Sequence, residues 1–117
     1  MIQGFQNIIL WQKAHKLVLL IYRLTGEFPK HEIFGLVSQM RRAVVSVASN
    51  FVEGYKRKRV KDSINFYIIA EGSLEELRYQ LILSKDLNYI NLSNFEESSK
   101  LCDEVGKLLY TWKMNQK

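Results

Sequence analysis

The sequence predicts an all-α protein, built as an up-and-down four-helix bundle. Two observations carry that prediction: apolar residues recur at three- and four-residue spacing in four successive segments, and no stretch holds a period of two. A third is that the connections between segments are short, which favours antiparallel neighbours. With 117 residues, the chain has the size of one ordinary domain, so a single bundle is expected across positions 1–117.

In the first segment, Trp11, Ala14, Val18 and Tyr22 form a stripe, widened by Leu10, Leu17, Ile21 and Leu24. Gly26 and Pro29 stop it, which predicts a helix over about 8–25. The second segment carries Ile33, Val37, Met40, Val44, Val47 and Phe51. Its β-branched Val44, Val45 and Val47 favour a strand in isolation, but the rhythm on both sides overrules them. A helix over about 31–55 is predicted, ending near Gly54. The third runs over about 61–87 with Ile64, Tyr67, Ile68, Leu74, Leu77 and Leu81 as its stripe, and Asp62 and Ser63 as candidate caps. Gly72 lies inside it, at a cost of about 1 kcal/mol relative to alanine, which suggests a neighbouring helix too close for a Cβ. Asn88, Asn91, Ser93 and Asn94 then form a turn, and Ser93 with Glu96 has capping-box spacing. Phe95, Cys102, Val105, Leu109 and Trp112 define a fourth helix to about 114.

Composition narrows the class further. Hydrophobic residues at 47% and charged residues at 25% exclude a disordered chain. The longest apolar run, Leu17 to Tyr22, is far short of the roughly 20 residues that cross a bilayer, so no membrane partner is expected. The first seven residues lack the basic start of a secretory leader, and the lone Cys102 excludes an internal disulfide. Together these predict a cytoplasmic protein.

Charge is unevenly distributed. Seventeen Lys and Arg against twelve Asp and Glu give +5 overall. Residues 41–61 hold seven of the basic residues against Glu53 alone, a local +6 that leaves −1 for the remainder. A local excess of this kind is what a polyanion-facing patch needs, and equally what a solvated turn between helices can carry.

Sites for chemistry are sparse. His15, His31 and Cys102 sit on different segments, with no ligand partner at the usual spacing, so neither a metal nor another cofactor is expected. Glu71, Glu75 and Glu76 lack the paired histidine of di-iron bundles. Glu71 and Glu75 share a helix face, where ion pairing to a neighbouring helix outweighs acid–base work. No phosphate-cradling glycine loop is present, and Ser46 and Ser49 have no base within helical reach. The expectation is a protein that is not an enzyme; a remote alternative centres one on Glu53, Glu71 and Glu75. The second helix does carry many polar residues among its apolar ones. Gln39, Arg42, Ser46, Asn50 and Glu53 are expected to join Glu71, Ser73 and Glu75 of the third in a structural polar network, with a binding site as the alternative, since each buried group left unpaired costs about 1–3 kcal/mol.

The same residues carry a resemblance. Trp11-Gln12-Lys13-Ala14, Phe28-Pro29 with Glu32, and Phe34-Gly35-Leu36 through Ser38-Gln39-Met40-Arg41-Arg42-Ala43 are followed by Ser46, Ser49-Asn50 and Glu53-Gly54. Ala70-Glu71-Gly72-Ser73-Leu74 and Glu76-Leu77 complete the series. The chain resembles the bacterial four-helix bundle family named for proteins encoded in intervening sequences of large-subunit ribosomal RNA genes. Val47-Ala48 stands where Ile-Pro is common, and Phe51-Val52 where Ile-Ala is common. The resemblance implies a left-handed up-and-down bundle, a ring-like homopentamer and no catalytic residue. A related branch, the accessory protein of diversity-generating retroelements, works with nucleic acid.

The leading functional expectation is sequence-non-specific binding of RNA or DNA. Lys56, Arg57, Lys58, Arg59 and Lys61 would contact phosphates, joined by Arg41 and Arg42. Tyr55 would either stack on a base or sit in a core or interface. The rival is a structural or protein-partner module, with Arg41 and Arg42 in intersubunit ion pairs and the basic turn merely solvated. Self-assembly is expected in either case, because the first helix is apolar on two flanks and one bundle buries only one.

Overall fold

A computed structural model describes residues 4–117; Met1, Ile2 and Gln3, part of the stretch that bears on a leader, lie outside the described residues. Four long helices dominate: α1 Ile9–Thr25, α2 Ser38–Lys56, α3 Val60–Asp86 and α4 Leu92–Met114. Each packs on the next and α4 closes against α1, so the four form a ring of antiparallel neighbours, 44 × 26 × 23 Å. The Ser46 and Ser73 hydroxyls meet at 2.7 Å, and Ser84 Oγ donates to Met40 Sδ at 3.4 Å, which fixes the α2–α3 register. Lys13 pairs with Glu104 at 2.9 Å across α1 and α4. Leu17, Ile21, Met40, Val44, Phe51, Tyr67, Leu77, Leu81, Val105 and Leu109 fill the centre.

The stripes of α2 and α4 lie inward as expected, except that Ile33 is exposed and Phe95 and Trp112 are half-buried. The α1 stripe is rotated. Leu10, Ala14, Leu17, Ile21 and Leu24 face the core, Trp11 and Val18 are half-buried, and Tyr22 is exposed. In α3, Tyr67, Leu74, Leu77 and Leu81 are buried, together with Ser63, Ala70, Gln80 and Ser84, while Ile68 is exposed. Both helices are apolar on more than one side, so spacing alone does not say which arc wins.

Helix boundaries differ where a side chain competes with the backbone ladder. The second helix begins at Ser38 rather than 31, preceded by a 3-10 turn over Lys30–Glu32 and a π turn over Ile33–Val37. Gly35 there adopts φ −109°, ψ −111°, and the Glu32 carboxylate accepts from Leu36 N at 3.2 Å, capping the chain below that break. The N-cap of α3 is Arg59, without a side-chain hydrogen bond; Asp62 and Ser63 lie inside the first turn. Asn91, not Ser93, caps α4: its Oδ1 accepts from Asn94 N at 2.7 Å, and Ser93 is already helical. Asn88 takes the left-handed conformation at φ 64° and lets Tyr89 N reach back to Ser84 O at 2.8 Å, ending α3.

Gly72 is not the close contact that its position suggested. It is exposed, and a Cβ there would meet nothing within 4 Å. The close approach is at Gly54, where a Cβ would strike the Tyr67 ring and stand 3.0 Å from Ser63 O. Gly54→Ala should therefore destabilise the fold by about 1–3 kcal/mol through overpacking. Gly72→Ala should stabilise it by about 0.5–1 kcal/mol through helix propensity. Urea unfolding of the two variants beside the parent checks both signs.

Candidate nucleic-acid interface

The basic cluster is a product of how α2 meets α3. Only Arg57, Lys58 and Arg59 separate the helices, and Arg57 and Arg59 both have extended backbone. The Tyr67 ring over Gly54 draws the two helix ends together. Phe51 stacks on Tyr67 at 5.8 Å and meets Trp112 of α4 edge-on at 5.3 Å. Burial, the largest cause, raises the Tyr67 phenol above its ordinary pKa. Tyr55 leans on Phe51 and Trp112 at 6.1 and 6.2 Å, yet keeps an exposed edge.

Lys56, Arg57, Lys58, Arg59 and Lys61 are all exposed at this end of the bundle. Arg57 donates to Glu53 at 3.0 Å and lies over the Phe66 ring at 4.7 Å. Lys56, Lys58, Arg59 and Lys61 form no ion pair among the described residues. The N-terminus of α3 adds to the local potential, because its first amides lack a side-chain cap and carry the positive end of the helix dipole.

Arg41 and Arg42 do not join this cluster. They precede Lys56 on α2 by 15 and 14 positions, so roughly 20 Å of helix separates them. Arg41 holds α1 to α2: Nε donates to Thr25 Oγ1 at 3.0 Å and Nη2 to Tyr22 O at 3.3 Å, with the guanidinium 4.6 Å above the Tyr22 ring. Arg42 is exposed on the outer face.

The expected eight-residue polar network divides into parts. Ser46, Ser73 and Asn50 are joined, with Asn50 Nδ2 donating to Ser46 O and Oγ, both at 2.9 Å. Glu53 pairs with Arg57, Glu71 accepts from Lys113 Nζ at 2.7 Å, and Glu75 lies 3.0 Å from Arg78 Nε. Gln39 and Arg42 are exposed and outside it. On α3 the cause is angular: Glu71 and Glu75 each lie two positions from Ser73, about 160° round the helix, and so turn away from the side that meets Ser46.

A polar clamp at the opposite end is not visible in the residue spacing. Glu32 accepts from Leu36 N and, at 2.8 Å, from Tyr89 Oη. The Leu36 amide first, then the Tyr89 hydroxyl, hold the Glu32 carboxyl below its ordinary range, and the same bond raises the Tyr89 phenol. Glu32 follows the Phe28-Pro29 pair closely, but its partner is 57 positions away. His15 stacks flat on Trp11 at 4.9 Å, and His31 lies beside Glu32 at 4.0 Å. Cys102 is fully buried, its thiol pushed up to about 12 by burial. Among the described residues, no helix is long and apolar enough to cross a membrane.

The sequence model for the family described as 23S rRNA-intervening sequence protein matches residues 6–111. The chain belongs to that family. Its fold is similar to the crystal structure of a protein of unknown function from the S23 ribosomal protein family of Bacteroides thetaiotaomicron VPI-5482. The two share 23% identity at a TM-score of 0.81, over 90% of this chain and 98% of the other. No curated protein matches the chain.

The Glu32 clamp generates a pH prediction. A carboxyl whose pKa is depressed on folding contributes stability that is present above the unfolded-state value and is lost as pH falls through the folded one. The family member should thus lose part of its stability on acidification below about pH 4, near the ordinary carboxylate value. Glu32→Gln should show a lower urea midpoint at neutral pH and a flatter decline in acid. Urea midpoints at several pH values, parent against variant, measure both.

Proposed function

We propose that this family member is a cytoplasmic, non-enzymatic homo-oligomer that binds RNA or DNA without sequence preference through the α2–α3 turn. The observation that carries this reading is the group of five exposed basic side chains, Lys56, Arg57, Lys58, Arg59 and Lys61, of which only Arg57 has a carboxylate partner among the described residues. Phosphates at such a surface displace condensed counterions, which gives affinity without base choice. The uncapped start of α3 favours the same anions. Arg41 is engaged within the fold, so the phosphate contacts fall to the turn, with Arg42 as an outlying one. RNA is the first ligand to test, since the family is described by an rRNA intervening sequence.

A homo-oligomer, pentameric by the family resemblance, repeats the turn in every copy. A strand that reaches several copies is then held by avidity rather than by one weak site. Against an enzyme, Glu53, Glu71 and Glu75 each face a different cationic partner and do not converge. The second reading, a protein-partner scaffold, draws its support from exposed apolar side chains on α1 and α3.

Replacing Lys56, Arg57, Lys58 and Arg59 with Ser should weaken binding and flatten its salt dependence, with helical content unchanged. Removal of one phosphate-binding side chain lowers the log–log slope by about 0.7 for single strands and about 0.9 for duplexes. Salt titrations of RNA and DNA affinity, parent against variant, decide it. An unchanged slope places the phosphates elsewhere on the surface, and a parent that binds neither at low salt leaves the scaffold reading.

A further inference from the structure

Phe34 is 96% exposed, beside an open cleft of about 790 Å³ between the end of α1 and the start of α2. None of the described residues covers it. The π turn and the Gly35 break hold it there, anchored by Glu32, which Leu36 and Tyr89 bind from within the bundle. The walls of the cleft are mainly apolar, with Tyr22, Ile33, Val37 and Val45, while Lys30 and Arg42 stand at its basic rim.

A second uncovered surface lies on α3. Ile68, Tyr79 and Ile82 recur at helical spacing on its outer side and are 52%, 63% and 45% exposed. Glu75 and Glu76 lie between Ile68 and Tyr79, both exposed, Glu75 on the line of the stripe and paired to Arg78. The stripe thus carries acidic side chains among its apolar ones, and the cleft is apolar with a basic rim.

We propose that the Phe34 cleft of one copy receives the Ile68–Tyr79–Ile82 stripe of a second copy, so that the chain assembles head to tail. This rests on the homo-oligomeric part of the function proposed above and specifies its surfaces. Charge complementarity selects the occupant: Lys30 and Arg42 on one side meet Glu75 and Glu76 on the other. Heights agree as well. Ser46 lies opposite Ser73 and Met40 opposite Ser84, so cleft residues 41–45 stand level with about 75–82 of α3. Two copies placed side by side with parallel axes bring Arg42 and Val45 of one level with Glu75, Glu76, Tyr79 and Ile82 of the other. The two patches sit on different helices, so each copy offers one of each, and the contact is heterologous rather than self-complementary. Heterologous contacts close into rings when the rotation permits. Nucleic acid is the less favoured occupant, because Arg41 already donates to α1 and the cleft walls are apolar.

The test uses Phe34→Asp and Tyr79→Asp, each placing a charge on one patch only; both side chains are exposed, so helical content should match the parent. Light scattering at micromolar concentration should find the parent multimeric and each variant at the single-chain mass. Mixed in equal amounts, the variants should form a dimer, because each keeps the face that the other lacks. Phe34→Ser and Tyr79→Ser, if a charged variant misfolds, should raise the dissociation midpoint at least about tenfold. A multimeric Phe34→Asp or Tyr79→Asp overturns the pairing, and so does a mixture that stays monomeric. Phe34→Asp that keeps its multimer but binds poly(U) more weakly assigns the cleft to nucleic acid and also overturns it. A monomeric parent removes the oligomer itself, whereas failure of the pairing alone leaves that multimer and the salt dependence of the basic turn intact.

Discussion

The seat of the Tyr67 ring over Gly54 is the constraint on which the basic end of the molecule depends. A side chain at 54 would force α2 and α3 apart where they must turn in three residues. With the notch in place, Phe51, Tyr67 and Trp112 form one aromatic cluster joining three helices. Packing of this density leaves little freedom for the backbone above it, so the basic side chains emerge from a rigid base. Their direction is thereby set by apolar contacts, although their chemistry is polar.

Electrostatics at that end is one-sided. Lysine and arginine at the C-terminus of α2 complement its helix dipole, but Arg59 and Lys61 stand at the N-terminus of α3, where the dipole opposes them. Glu53 and Asp62 are the nearby acids, and Arg57 engages the first. The turn is therefore a region of unsatisfied positive potential within a chain whose remainder is close to neutral.

The number of helices, the antiparallel order and the inward faces of α2 and α4 are legible in the sequence, because their apolar residues occupy one arc. The faces of α1 and α3 are legible only in part. Their extra apolar residues, Tyr22, Ile68, Tyr79 and Ile82, keep the period while facing outward, so periodicity carries no sign of direction. For the same reason spacing points to Gly72 rather than Gly54 as the close contact. The basic turn is readable as a charge run between two helices. The role of Arg41 is not, since its partners Thr25 and Tyr22 lie 16 and 19 positions away. The break before α2 is masked by Ile33 and Val37, which continue the heptad rhythm across Gly35.

Burial removes the chemistry of Cys102 along with its surface. The thiol lies wholly inside the bundle and is held protonated far above neutrality, so it offers no thiolate to an oxidant, an electrophile or another thiol. It acts as a small apolar core residue that happens to contain sulfur. The folded chain consequently offers no cysteine for disulfide exchange, and Cys102 packs as the same thiol in reducing and oxidising surroundings.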